Sequence, residues 1–242
     1  MALRRHQLRR LARGLTCELG DATSAALLEW LGGRVWAPET VRSHLSAFRS
    51  FFKWANSQGL LVKDPTEGLP SPRRVAHLPR PASEEAVAEA MRVADGRVRT
   101  MVALGVFQGL RRGEIARLHM RDIVLGPSGP LLIVRGKGGR ERVVPLRRDV
   151  AALIRVQGQR DWLFPGQDEG HLSPAWVGRL VRRALPDGWA THSLRHAFAT
   201  KVYGSTHDLL TVQALLGHAS PNTTQGYVLG SADALRAAVE SA

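Results

Sequence analysis

Between Thr40 and Ser57 apolar residues return every three or four positions, at Val41, Leu45, Phe48, Phe52 and Ala55. This spacing predicts a helix with one buried stripe, stopped by Gly59. From Asp21 onward Leu27, Leu28 and Leu31 predict a shorter helix before it, ended by Gly32 and Gly33. The pattern lapses between Leu69 and Ala82: Pro70, Pro72, Pro79 and Pro81 exclude a helix, and Arg73, Arg74 and Arg80 make the segment an extended basic linker. Helical signals resume with Ser83, Glu84 and Glu85, a cap followed by acidic residues, and an apolar stretch around Thr100 to Phe107 leads into Gly109.

The period then changes. Ile123 to Leu125, Leu131 to Val134 and Arg142 to Leu146 are short apolar runs separated by turns at Pro127 to Pro130 and Gly136 to Gly139, and they predict a small antiparallel sheet with Lys137 at a hairpin tip. Further helices are predicted over Asp149 to Val156, over Ser173 to Ala184 with Ser173 as cap and Pro174 in the first turn, over Ser193 to Tyr203, and over Asp208 to Leu216, closed by Gly217. Asp233 to Val239 has the pattern of a short terminal helix. The expected class is mainly α with a small antiparallel β-sheet (α+β). A helical domain is expected over 1–69, a basic linker over 70–82 and a second domain over 83–242.

Composition adds a partner to this outline. The 242 residues carry a formal net charge of +13 with an ordinary hydrophobic share of 44%, and a polyanion is the most direct physical reason to tolerate such self-repulsion. Nucleic acid leads and an anionic membrane surface trails. No apolar run approaches membrane-spanning length, and the basic N-terminus (Arg4, Arg5, Arg9, Arg10, Arg13) is not followed by an apolar segment, so a cytoplasmic, nucleoid-associated protein is expected. Cys17 is the single cysteine, no Cys/His cluster has metal-site spacing, and neither a metal nor any other cofactor is expected. On the helix over Thr40 to Ser57, Arg42, Ser46, Arg49 and Lys53 form one ridge beside the apolar stripe. Its shape suits a line of phosphates, although such a ridge also serves as a plain solvated face. With Arg73 and Arg74 of the linker it makes the candidate DNA-binding set.

The chemistry is concentrated toward the C-terminus. His192 and Arg195 are three apart, so on a helix starting near Ser193 both can reach one anion while Leu194 and Phe198 face the core. Arginine gives phosphate two parallel donors. Gly217 predicts a left-handed turn that sets His218 on a fixed corner, where it either points at a ligand or caps the preceding helix. Tyr227 lies in a polar stretch beside Gln225 and Gly226, a poor place for core filling; as a nucleophile its hydroxyl needs a base or nearby positive charge. Arg112 beside Arg111 and His196 beside Arg195 are set aside, because neighbours on a helix diverge by about 100° and do not share one phosphate easily. A nucleotide site on Gly136, Lys137 and Gly138 is excluded, since no Ser or Thr follows the lysine.

Taken together, Gly109, Leu110, Arg111 and Glu114, the hairpin Lys137, His192 through His196, Leu216, Gly217 and His218, and Tyr227 resemble the signature of the tyrosine recombinase (phage integrase) family, in the family's order. The resemblance is strong from about Gly109 to Tyr227 and weaker over Asp21 to Pro72, which looks like the family's core-binding domain. It implies a metal-free transesterification on double-stranded DNA. Tyr227 attacks a phosphodiester, a 3′-phosphotyrosyl link forms, and the released 5′-hydroxyl later attacks a partner strand. By the same resemblance Arg111, Arg195 and His218 hold the nonbridging oxygens, Lys137 protonates the leaving 5′-oxygen, His192 assists proton transfer at the tyrosine and Glu114 orients Arg111. A tetramer on two synapsed DNA sites is implied as the working assembly.

Three departures from the family pattern stand out: a core-binding region that looks shortened at its N-terminus, with no arm-type DNA-binding domain; Gly226 immediately before the tyrosine; and a short tail after it. A DNA-binding module of the same fold without cutting activity, and a topoisomerase of the type IB kind, are the alternative readings. For any of them the basic surface sets a salt response. Neutralising roughly six to ten phosphates costs about three to five decades of affinity between about 50 and about 200 mM salt. Binding to duplex DNA measured across that range checks this, and a flat response contradicts a phosphate-following ridge.

Overall fold

The computed structural model of the chain describes residues 2–73, 80–136, 139–158, 161–186 and 188–217. Arg74, Lys137, His218, Tyr227 and the helix expected over Asp233 to Val239 lie outside the described residues. The chain divides into two compact units, Met1–His77 and Leu78–Ala242.

The first unit is built on three helices, α1 (Ala2–Gly14), α2 (Ser24–Gly32) and α3 (Pro38–Ser57). α3 carries the predicted stripe: Leu45, Phe48, Phe52 and Ala55 are buried, and Gly59 takes a positive φ after its end. α2 is capped by the Thr23 side chain, which accepts from Ala26 N at 3.2 Å. Its buried face differs from the expected one, because Leu28 is exposed and Trp30 goes inward, where its ring meets Trp36 and Phe48. α1 is the larger correction. The arginine-rich start, read only as a basic tail, is a helix packed on α3, with Leu11 fully buried and Gln7 Nε2 donating to Ser43 Oγ at 2.9 Å. Its arginines take the outer positions while Leu8, Leu11 and the Gln7 amide face inward, a split visible only once a partner helix exists.

The second unit runs α4 (Glu84–Val93), α5 (Gly96–Gln108), α6 (Arg112–Ala116), β1 (Ile123–Gly126), β2 (Gly129–Arg135), β3 (Glu141–Pro145), α7 (Arg148–Val156), a short strand β4 (Pro165–Asp168), α8 (Pro174–Ala184), α9 (Thr191–Thr206) and α10 (Leu209–Leu216). α5 is the central element. Met101 to Leu104 are fully buried, and α4, α7, α8 and α9 surround the helix. The expected caps hold α4 and α8: Ser83 Oγ accepts from Ala86 N and Ser173 Oγ from Trp176 N, both at 3.2 Å.

The sheet is antiparallel in the order β1-β2-β3, with Leu132 opposite Ile123 and Val144, and Val134 opposite Arg142. Leu132, Val134 and Val144 face the core, so alternation puts Arg142 on that same inward face. The base of the β2–β3 hairpin is closed by Gly136 N donating to Arg140 O at 2.7 Å and by Arg135, which donates to Glu141 at 2.9 Å and also to Asp122.

α9 starts at Thr191, two residues before the expected Ser193, because Ala190 is extended and its carbonyl already accepts from Ser193 N and Leu194 N. Leu194 is buried against α5, and Phe198 packs with Ala199, Val212 and Leu216. Gly109, which ends α5 at φ +64°, cannot carry a side chain: a Cβ there would lie 2.5 Å from Phe198 Cδ1 and 2.8 Å from Leu216 Cδ2. That turn, packed on α9 and α10, delivers the chain into Arg111.

If α1 is an integral part of the first unit, Leu11→Ala lowers its unfolding free energy by about 2 to 5 kcal/mol. Urea denaturation followed by tryptophan fluorescence measures this, and an unchanged midpoint contradicts the docking of α1.

Candidate active site

A single carboxylate organises the residues that the sequence singled out. Glu114 sits one turn into α6 and is almost fully buried. Its Oε2 accepts from the backbone N of Arg111 at 2.8 Å and its Oε1 from Arg111 Nη1 at 2.9 Å, the i, i+3 pair that the sequence suggested. It does more than orient Arg111. Arg142 of β3 adds a two-pronged bond, Nη1 to Oε1 at 2.9 Å and Nη2 to Oε2 at 3.0 Å, and Arg195 Nη1 lies 3.8 Å from Oε2. Burial pushes the Glu114 carboxyl up, but the bond and charge of Arg142, the Arg111 amide and the charge of Arg195 outweigh it and hold the group below the usual carboxylate range.

Arg195 is 2% exposed, whereas the Arg111 side chain is 43% exposed, so one guanidinium is set in the wall and the other opens to solvent. Arg195 Nη1 donates to Gly109 O at 2.6 Å and Nη2 to Leu216 O at 2.8 Å; Arg111 Nη1 also reaches Leu216 O at 3.4 Å. Both carbonyls lie at the C-terminal ends of helices, α5 and α10, where unpaired oxygens and the helix dipole favour a cation. The guanidinium groups of Arg111 and Arg195 therefore converge instead of pointing apart.

Both line one cleft of about 800 Å³, together with Glu114, His192 and Thr191. His192 stands at its mouth with the ring of His196 edge-on at 4.1 Å. Partial burial, then the charges of Arg195 and Arg111, hold His192 below the usual imidazole value; burial, His192 and Arg195 bring His196 down to about 4. The same causes favour the neutral form of both rings. His196 is not among the cleft-lining residues, as expected. Arg112 is, against expectation. The divergence of about 100° between neighbours applies inside a helix, but Arg111 is the extended residue before α6 and Arg112 its first turn, so the two side chains share the cleft.

Arg117, Arg179 and Arg182 also line it, so six arginines and the single carboxylate of Glu114 border a strongly positive, concave cleft. Sequence reasoning missed these three and Arg142. For Arg179 and Arg182 a signal existed in their three-residue spacing on α8; for Arg142 the only signal was its inward phase on β3.

Two key residues fall just beyond the described segments, yet their neighbours are placed. A Cβ on Gly136, which precedes Lys137, would lie 3.9 Å from Glu114 Oε1. Gly217, which precedes His218, has φ +62° as expected, and a Cβ there would lie 3.0 Å from Arg142 Cδ and Nη1. Among the described residues no group of three or more His, Cys, Asp or Glu side chains is gathered as metal ligands, and no helix is long and apolar enough to cross a membrane.

In the first unit the proposed ridge lies along α3, but its members differ. Ser46, Lys53 and Arg73 are exposed, whereas Arg49 donates to Leu69 O at 2.5 Å and Ser71 Oγ at 2.7 Å, and Arg42 Nε sits 3.8 Å from Glu39. Arg49 and Lys53 line a second cleft of about 570 Å³ with Asn56 and Lys63, a cation the sequence reading did not include.

The family model described as "Phage integrase family" matches residues 82–232. A tyrosine recombinase XerC from Rhodospirillum centenum is 35% identical over 93% of this chain and 73% of that protein. A tyrosine recombinase XerD from Caulobacter vibrioides is 34% identical over 87% of this chain and 78% of its own length. Among solved structures, the XerH site-specific recombinase bound to difH substrate in a pre-cleavage complex is 25% identical with a TM-score of 0.66, covering 98% of this chain and 76% of that one.

Glu114 gives a pH dependence with a definite sign. A carboxyl whose folded pKa is depressed adds stability above its unfolded value of about 4.3, and that stability is lost as pH falls through the folded value. Wild type is therefore expected to lose unfolding free energy below about pH 4 more steeply than Glu114→Gln, which at pH 7 is less stable by about 3 to 5 kcal/mol because arginines lose their counter-charge. Denaturation at a series of pH values measures both; parallel curves contradict the assignment of Glu114 as the ionised hub.

Proposed function

The chain belongs to the phage integrase family and is a tyrosine site-specific DNA recombinase, and from that premise we propose which residues carry its chemistry and how. The observation that carries the proposal is the convergence of Arg111, Arg195 and Glu114 on one cleft that His192 also lines.

In this reading a duplex strand lies in the arginine-lined cleft with its scissile phosphate at Arg111 and Arg195. His218, one residue beyond the Gly217 turn, completes the ring of donors to the nonbridging oxygens. These cations stabilise the extra charge of the pentacoordinate transition state, where each pre-placed donor contributes on the order of a hundredfold or more. Tyr227 Oη forms the new bond to phosphorus as the bond to the 5′-oxygen breaks. The phenolic proton passes with the help of His192, whose lowered pKa keeps it free to accept. Lys137, which follows Gly136 in the chain, supplies a proton to the departing 5′-oxygen. The product is a 3′-phosphotyrosyl link and a free 5′-hydroxyl, and attack by a partner strand's 5′-hydroxyl reverses the step, so no external energy source enters.

Arg42, Ser46, Arg49, Lys53, Arg73 and Arg74 are the proposed backbone contacts of the helical domain over 1–69 and the linker over 70–82, with 83–242 as the catalytic domain. The exposed Ser46, Lys53 and Arg73 are the members free to act without rearrangement; Arg49 must first release Leu69 and Ser71. A tetramer on two synapsed sites is the proposed assembly, since joining two duplexes by exchange of both strands requires four tyrosines. Action in the cytoplasm on the nucleoid follows from a DNA substrate. A binding module without cutting activity is disfavoured by the complete set of candidate catalytic residues.

The test uses a pool of duplexes carrying a nick beside a randomised central sequence, so that the short 5′ fragment diffuses away after cleavage and traps the adduct. Wild type is expected to capture a subset covalently. Tyr227→Phe is expected to bind that subset nearly as well and capture none. Capture by the phenylalanine variant, or none by wild type, contradicts the reading.

A further inference from the structure

Arg142 belongs to none of the roles above, yet all three nitrogens of its guanidinium donate. Its side chain is 12% exposed, it grips both oxygens of Glu114, and its Nε donates to Leu215 O at 2.9 Å. Leu215 is in the last turn of α10, where carbonyls lack helical partners. The next carbonyl, that of Leu216, receives Arg195, and the next residue, Gly217, rests against the Arg142 side chain. Arg142 also stands in β3 opposite Val134, two residues from the hairpin base whose Gly136 abuts Glu114.

We propose that Arg142 is a positioning residue for strand cleavage: by tying the Glu114 carboxylate to the end of α10 it sets the Gly217 turn, from which the chain continues into His218, in register with Arg111 and Arg195. The proposal rests on the catalytic reading given above and adds a residue to it. Three separate stretches of chain, the start of α6, β3 and the end of α10, are joined directly by this side chain and the carboxylate it holds. A bidentate guanidinium fixes direction as well as distance, which lysine cannot reproduce. Gly217 supports the same conclusion from the other side. Its left-handed turn and bare α-carbon let the backbone lie on Arg142, and a side chain there would push the two apart.

Misplacement of a reacting group by about 1 Å costs on the order of a hundredfold in rate, so a positioning role is read in chemistry at saturating DNA. The probe is a nicked duplex that wild type has captured from the randomised pool, used with the whole protein in single turnover. Arg142→Met is expected to bind it as wild type does and to form the phosphotyrosyl adduct about a hundredfold more slowly. Arg142→Lys is expected to recover part of the rate. In the methionine variant only Arg111 and Arg195 remain to face the buried Glu114 carboxyl, burial then favours its protonated form, and the cleavage rate is expected to fall toward acid pH more steeply than the His192 titration alone makes it fall in wild type. Adding Glu114→Gln to Arg142→Met removes that second titrating group and is expected to return the acid fall to the wild-type steepness while leaving the rate slow.

Adduct formation by Arg142→Met at the wild-type rate with the wild-type pH profile overturns the proposal. If circular dichroism finds Arg142→Met unfolded, the double variant and Arg142→Lys decide: slow cleavage with intact binding upholds the role, and wild-type cleavage by either overturns it. Failure of wild type itself to form an adduct would instead count against the tyrosine chemistry, so the two readings fail separately.

Discussion

The Glu114 carboxylate lies in the interior of the second unit with three guanidinium groups turned toward it, and that arrangement constrains everything around it. An isolated buried carboxylate would cost several kcal/mol in lost hydration, and three neighbouring cations without it would repel one another. Held together, they fix side chains from α6, β3 and α9 in one place. Two cations remain in excess over the single anion. The helix-end carbonyls of Gly109 and Leu216 offset part of that excess, and the remainder is available to an anion in the adjoining cleft. A site of this kind is organised before its substrate arrives, so little reorganisation is needed as charge develops on a reacting phosphate.

The fold exists largely to make that meeting possible. α5 is buried on all sides and ends at Gly109, whose left-handed turn swings Arg111 to the start of α6. α9 begins just where His192 reaches the cleft mouth and Arg195 its wall. α10 ends at Gly217 with its last carbonyls capped by Arg142 and Arg195 instead of by water. The ends of α5 and α10 are set by glycines, and each is then held by arginines from elsewhere in the chain, Arg195 at both and Arg142 at the second.

This explains what could be read from the sequence. The caps at Ser83 and Ser173, the stop at Gly217, the Arg111 and Glu114 pair and the three-strand sheet depend on residues a few positions apart, and the structure has them as read. α1 was illegible because five arginines dominate its composition, and only contact with α3 buries Leu11 and Gln7. Leu28 and Trp30 exchanged roles for the same reason: which flank of α2 faces inward is decided by the neighbouring aromatic rings. Arg112 was set aside on the geometry of neighbours within a helix, whereas Arg111 is the extended residue before α6 and both line the cleft. Arg142 was invisible because its partner is 28 residues away and its inward phase is lost among the apolar residues of β3.

The central claim is that one carboxylate holds two phosphate-binding arginines in register around a single position in the cleft. A crystal structure of Tyr227→Phe bound to the captured duplex tests it most directly. The account expects Arg111 and Arg195 to contact nonbridging oxygens of the same phosphate while Glu114 keeps its bonds to Arg111 and Arg142. A duplex whose phosphates lie along the outer arginines of the cleft, with Arg111 and Arg195 on different phosphates or on none, would contradict it.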